Sequence, residues 1–334
     1  MSADLLGIGL MRYRELLLSC LNGDKTETSP VSAWQHKPKI DQNAEAFAAA
    51  TLADFARYDF DFVKLTPAST WQSIDQGLED CRNHDFLGRR EIVSHNVTKI
   101  SQWEDISVCN PWQGFSGRIL NAARLLKADL PQHVPLLVTV FNPFFQAVQQ
   151  GGLALVMRTA EESPQLLEQG LEVLLSNTLR LISEIVNLGV DGIFFVTQHA
   201  SAELVPEDFY RRWALTGDLM CLDAIAKLPL SMLHLHGSKT YWQLFASVPV
   251  VLHCDELNHQ DVTQRIDTFA ALAGTLPSNS LFVNGSRQTI QQAVIARRAL
   301  LAHKSFIATP GCALPLAVPV KNIEALVHGA RVKI

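Results

Sequence analysis

The sequence predicts an α/β protein built as a closed (β/α)8 TIM barrel, with a helical extension at the N-terminus and an insertion after the second strand. Three observations carry this prediction. Short apolar, β-branched or aromatic runs recur eight times along 334 residues. Longer segments with helical spacing lie between them, the pattern of βαβ units and a parallel sheet. Eight such units in a chain of this length fit a barrel of about 250 residues plus additions.

The strands are expected at Val31–Trp34, Phe60–Leu65, Leu136–Phe141, Gly192–Thr197, Ser231–Leu235, Val250–Leu252, Leu281–Asn284 and Ser305–Ala308. Pro249 precedes the sixth, where a missing N–H is tolerated because the ladder has barely begun. Helical spacing marks Glu45–Arg57, Pro164–Leu188, Pro206–Lys227, Val262–Gly274 and Gln288–His303. Ser163-Pro164 sets a cap before a first-turn proline, and Gly189 ends that helix ahead of the fourth strand. The surplus length falls in the first thirty residues, read as a helix under the barrel floor, and in the insertion from Pro67 to Pro135. No Gly/Ser-rich or Pro-rich linker interrupts the chain, so residues 1–334 read as one domain. The alternative, an open doubly wound sheet, calls for a G-x-G-x-x-G turn after its first strand. Ser32-Ala33-Trp34-Gln35-His36 offers none.

Composition narrows the function. Charged residues make up 18%, below the usual quarter or so, which argues against disorder. The net charge of −5 gives no basic footprint for nucleic acid. No run approaches the eighteen apolar residues of a membrane span, and the N-terminus lacks the pattern of a signal peptide. A cytoplasmic protein is expected. Six cysteines without a C-x-x-C pair are too few for a disulfide scaffold.

In a barrel, function sits on the loops that follow the strands. These carry Trp34 and His36 after strand one, Lys64 at the end of strand two, Phe141 and Asn142 after strand three, and Gln198 after strand four. His234 and His236 come at strand five, His253-Cys254-Asp255-Glu256 after strand six, Asn284 after strand seven, and Cys312 after strand eight. Trp34, His36, Lys64, Phe141, Asn142, Gln198 and Asn284 are candidate substrate contacts. Phe141-Asn142-Pro143-Phe144-Phe145 reads as an aromatic wall or as a hydrophobic plug over the barrel. Asn142 and Asn284 also suit turns. His253 and Asp255 form a candidate acid/base pair, or a solvated polar loop. Asp61, inward from strand two, is a candidate proton donor.

The sharpest feature is Met232-Leu233-His234-Leu235-His236-Gly237. A period of two turns both imidazoles to one face and both leucines to the other. Two inward imidazoles two residues apart form a common metal-binding pair, and Cys312 is the natural third ligand because all the loops converge on one mouth. A His2Cys set with an open position suits catalytic Zn²⁺. Without metal, the same rings would bond neighbours or a substrate carboxylate.

The sequence resembles the uroporphyrinogen decarboxylase superfamily over nearly its whole length. The resemblance rests on Trp34-Gln35-His36-Lys37-Pro38, Tyr58 to Lys64, Thr139 to Pro143, Gly189 to Phe195, His234-Leu235-His236-Gly237 and Pro310 to Pro315, with Pro319 and Asn322 after them. It implies a (β/α)8 barrel, a homodimer in many members, and one of two chemistries. The decarboxylases act on a polyanionic tetrapyrrole without a cofactor, through an arginine motif after strand one. Residues Trp34 to Ile40 hold no arginine, Lys64-Leu65-Thr66 matches their strand-two aspartate only loosely, and Cys312 stands where they carry a histidine. The corrinoid-dependent methyltransferases hold zinc through an H-x-C pair and a later cysteine, and accept the methyl group from a corrinoid protein. His234 and Cys312 match two of those ligands, and His236 stands in the place of the third. The preferred expectation is zinc-dependent methyl transfer to a small thiol or related nucleophile. The alternative is cofactor-independent decarboxylation of uroporphyrinogen or a related acid.

Overall fold

Backbone hydrogen bonding gathers the apolar runs into one sheet. A computed structural model describes residues 14–22, 24, 26–255, 257, 268–269, 271–301 and 305–334. Its strands are β1 (Val63–Leu65), β2 (Glu79–His84), β3 (Arg90–Ser94), β4 (Leu136–Phe141), β5 (Gly192–Thr197), β6 (Met232–Leu235), β7 (Val251–Cys254), β8 (Ala271–Gly274) and β9 (Ser305–Ile307). Seven of them pair in parallel in the order β1-β4-β5-β6-β7-β8-β9, while β2 and β3 form a separate antiparallel hairpin. β4 and β5 are buried at every residue, as expected for parallel strands covered on both faces. The curled parallel sheet with its surrounding helices is the predicted α/β, TIM-barrel-like architecture.

The eighth position of the ring is filled by extended backbone. Val31 bridges Ala308 in parallel. The Ala308 N–H donates to the Pro30 carbonyl at 2.7 Å, and the Asp61 N–H to the Val31 carbonyl at 2.8 Å. The expected strand Val31–Trp34 is thereby reduced to one bridge between β9 and the approach to β1. Pro30 has no N–H, the Val31 N–H is taken by the Asp61 carboxylate at 2.7 Å, and the Ser32 hydroxyl donates to the Phe62 carbonyl at 2.9 Å. Side chains do there what a ladder does elsewhere.

The seventh strand corrects the sequence reading. Leu281–Asn284 falls within a short helix, Ser280–Asn284, and the strand is Ala271–Gly274. Ala-Leu-Ala-Gly has no β-branched residue, and a short apolar run does not reveal helix or strand by period. The expected helix Val262–Gly274 falls largely outside the described residues. The long insertion contains the helix Gly114–Asp129 and the β2–β3 hairpin. Residues 14–21 are helical and pack where β9 begins, with the Cys20 thiol 3.6 Å from the Phe306 carbonyl. Among the described residues no helix is long and apolar enough to cross a membrane.

Asp61 belongs to this framework. Its carboxylate is fully buried at the N-terminal end of β1 and receives two hydrogen bonds, at 2.6 and 2.9 Å, from Arg331 at the end of the helix Val320–Arg331. The candidate proton donor is thus a structural anion that fastens the C-terminal helix to the sheet. Arg331→Met leaves this carboxylate buried without its cation. Urea unfolding should show a loss of about 3 kcal/mol.

Candidate metal centre

Four side chains converge beyond the C-terminal ends of β6, β7 and β9. The ligand atoms of His234, His236, Asp255 and Cys312 all lie within 4.8 Å of one another. Strand alternation delivers the two imidazoles. Leu233 and Leu235 are fully buried on the opposite face, while His234 and His236 line the cavity at the mouth. β7 runs two residues further than expected, so His253 lies within the strand and Asp255 follows it. His253 is the register partner of His234. The same alternation that pairs 234 with 236 therefore pairs 253 with 255.

Cys312 arrives from the loop after β9. Pro310 bridges Leu276, and the Gly311 N–H donates to the Leu276 carbonyl at 2.9 Å. The Ser278 hydroxyl accepts from the Cys312 N–H at 2.7 Å and lies 3.2 Å from its carbonyl. At Gly311 a Cβ would come within 2.9 Å of the Asp255 backbone, so the missing side chain is what lets the thiol approach. Sγ lies 3.8 Å from His236 Nδ1 and 4.0 Å from His234 Nε2. Asp255 Oδ2 accepts from the Gly237 N–H at 2.6 Å and sits 3.2 Å from His236 Nδ1. Its Oδ1 is buried without a hydrogen-bond partner.

The donors are poorly solvated. Burial, and then the Asp255 charge, pushes the Cys312 thiol up to about 12. Burial raises Asp255, and it holds His234 well below the usual histidine range, with His253 adding to the effect. A thiol, a carboxyl and the His234 imidazole, whose charged forms are disfavoured by lost water, with one carboxylate oxygen orphaned, are the reverse of a relaxed polar cluster. A divalent cation at their centre reverses that electrostatic logic.

The adjoining cavity spans about 560 Å³, counting its open mouth. It brings together most of the predicted contacts: Trp34, His36, Lys64, Phe141 and Gln198 line it alongside His234, His236 and Cys312. Two predicted contacts lie elsewhere. Asn142 is fully buried, caps the helix Pro143–Gly151 by accepting from the Phe145 N–H at 3.2 Å, and donates to Asp218 at 2.9 Å. Asn284 ends its short helix and is absent from the cavity wall. Arg89, from the hairpin, and Phe194, from β5, line the cavity without having been singled out in the sequence. Phe194 was legible as an inward residue by period, whereas nothing in the insertion marked Arg89.

The whole chain also has relatives. The family model described as uroporphyrinogen decarboxylase (URO-D) matches residues 26–332. The chain belongs to the uroporphyrinogen decarboxylase family. It is 23% identical over 323 residues to the methylcobamide:CoM methyltransferase MtbA of Methanosarcina acetivorans, covering 93% of this chain and 91% of the relative. The MtbA of Methanosarcina mazei is 23% identical over 305 residues, covering 88% and 86%. A solved methyltransferase from Methanosarcina mazei superposes with a TM-score of 0.83 at 20% identity, covering 95% of this chain and 98% of that one. This last likeness supports the barrel-like fold.

In the metal-free protein at pH 8, a thiol with a pKa of about 12 is thiolate in about one molecule in ten thousand. Iodoacetamide should therefore label Cys312 about fiftyfold more slowly than an ordinary cysteine, because the scarcity of thiolate outweighs its higher nucleophilicity, as followed by peptide mass spectrometry.

Proposed function

We propose that the chain is a methyltransferase that moves a methyl group from a methylated corrinoid, carried by a corrinoid protein, to a small anionic thiol, with zinc held by His234, His236 and Cys312 beside the Asp255 carboxylate. The observation that carries this reading is the convergence of those four donors at the mouth of the cavity. Two nitrogens, a sulfur and a carboxylate oxygen are ligands that zinc accepts, and thiolate plus carboxylate offset its charge. The orphaned Asp255 oxygen is the atom that such an ion satisfies. When bound, zinc supplies Lewis acidity that lowers the pKa of a thiol beside it. The relatives named as methylcobamide:CoM methyltransferases supply the donor class.

The residues around the cavity support an acidic acceptor. Lys64 is 6% exposed. Its ammonium donates to the Thr66 hydroxyl at 2.9 Å and lies 4.6 Å from the Trp34 ring centre and 4.3 Å from that of Phe194. Burial lowers its pKa to about 7. Among the described residues the cavity wall carries Lys64 and Arg89 and no carboxylate. A buried ammonium with only a hydroxyl and two aromatic faces around it gains a counter-ion when an acidic ligand enters. Trp34, Phe141 and Phe194 then enclose the carbon skeleton of that ligand and keep water away. His36 is fixed by its Nδ1 at 3.1 Å from the Pro67 carbonyl, and burial followed by the Lys64 charge lowers its pKa to about 4. It is a neutral wall residue. The decarboxylation alternative loses Asp61, which Arg331 holds at the other end of the sheet.

Protein purified without a histidine tag should contain about one zinc per chain, and Cys312→Ala should lose it. With methylcobalamin and a thiol, the loaded protein should form the thioether and cob(I)alamin, read by loss of the methylcobalamin spectrum. Trace zinc that is indifferent to Cys312→Ala, with no thioether, overturns the reading. Lys64→Met should raise KM for thiols bearing a carboxylate or sulfonate about tenfold, the scale of a charged hydrogen bond. KM for 2-mercaptoethanol should change little. An equal rise for both would remove the acidic acceptor.

A further inference from the structure

His253 is not one of the four donors, yet from the strand that leads to Asp255 it touches both His234 and the loop that carries Cys312. It is fully buried, with Nδ1 2.8 Å from His234 Nδ1 and Nε2 3.1 Å from the Pro310 carbonyl. We propose that His253 is a positioning residue that fixes the tautomer and orientation of His234, so that His234 Nε2 presents its lone pair to the metal. The proposal rests on the zinc reading above for its purpose, but its content is a proton arrangement already present in the metal-free protein.

The argument is one of donors and acceptors. A neutral imidazole has one N–H and one bare nitrogen. The Pro310 carbonyl can only accept, so the proton of His253 resides on Nε2 and its Nδ1 is bare. Two bare nitrogens cannot make a 2.8 Å bond, so His234 carries its proton on Nδ1 and donates it to His253. His234 Nε2 is then left without a proton. That nitrogen is the one facing the other donors, 4.0 Å from Cys312 Sγ and 3.9 Å from Asp255 Oδ1. The opposite tautomer would turn an N–H toward the metal position.

The surroundings hold both rings in this arrangement. Phe194 stacks on His234 at 5.3 Å between ring centres and meets His253 edge-on at 4.9 Å, and Trp34 lies 5.4 Å from His253. An apolar enclosure disfavours the imidazolium that would blur the assignment. Gly274 has φ +78°, and a Cβ there would come within 3.0 Å of His253 Cε1 and 2.3 Å of the Cys254 carbonyl. The ring thus occupies space that any other residue would fill. Pro310 stands two residues before Cys312, so one imidazole ties the strand bearing His234 to the loop bearing the thiol.

The test uses the full chain with histidine labelled by 15N. In metal-free protein, long-range 1H–15N correlation should show His234 as the Nδ1–H form and His253 as the Nε2–H form. His253→Phe keeps a ring but removes the side-chain acceptor. It should convert His234 to a mixture of tautomers and weaken the binding of zinc alone, in chelator competition, by about tenfold to a hundredfold. His253→Gln can both accept from His234 and donate to Pro310, and should keep the Nδ1–H form with zinc affinity within a few-fold of the parent. A merely structural ring would lower Tm in both variants alike and leave the tautomer unchanged. Finding His234 as Nε2–H in the parent protein overturns the proposal, even if His253→Phe fails to fold. So does a folded His253→Phe with parental tautomer and zinc affinity. If zinc does not bind the parent at all, the zinc reading fails, and the tautomer spectrum still decides this one.

Discussion

The register between β6 and β7 is the constraint on which the site depends. His234 lies opposite His253 in a parallel ladder, where adjacent strands run about 4.8 Å apart. Residues two further along, His236 and Asp255, then come abreast on the same side. The sheet thus aligns two histidines with a histidine and an aspartate, and only Cys312 must be imported. A slip of one residue in β6 would turn Leu233 and Leu235 into the cavity and both imidazoles onto the helices. The apolar outer face therefore protects the donor geometry as firmly as any contact among the donors.

How much of this was legible depended on whether period or partner decided the residue. The inward pair His234 and His236 followed from alternation, and Cys312 from the rule that barrel loops converge. β4 and β5 kept their expected limits because Leu-Leu-Val-Thr-Val-Phe and Gly-Ile-Phe-Phe-Val-Thr are buried on both faces. In the sequence Asp255 reads as part of an acid/base pair, because the apolar run that marks this strand ends at Leu252. Two more strand residues bring Asp255 into phase with His253 and among the four converging side chains. The strand Ala271–Gly274 was hidden by its own alanines, and Leu281–Asn284 took its place.

Buried polar residues formed a second class that no local pattern sorts. Asp61, Asn142 and Lys64 all stand in or beside a strand and are all at most 6% exposed. Asp61 is neutralised by an arginine 270 positions away, and Asn142 caps a helix while bonding Asp218. Lys64 has a hydroxyl and two aromatic faces. Only partners distant in sequence separate the structural anion from the residue that still has an ionic interaction to make. That distinction assigns Asp61 to the fold and leaves Lys64 as the proposed ligand contact.

The donor set carries a further consequence. Where the corrinoid methyltransferases that this sequence resembles carry a second cysteine, His236 stands here, which exchanges a thiolate for a neutral imidazole. Asp255, 3.2 Å from that ring, returns the lost negative charge, so the sum over the donors is unchanged while its character is not. A carboxylate is a harder and poorer electron donor than a thiolate, which would leave the proposed zinc more acidic toward the proposed thiol. Acidity and nucleophilicity pull apart at that point. A thiol brought to a lower pKa is ionised in a larger fraction of molecules, but each thiolate attacks more slowly, with the rate falling by about half a power of ten for each power of ten in acidity. On the proposed reading, the exchange would favour an acceptor whose own thiol is weakly acidic, since such a thiol gains most in ionised fraction.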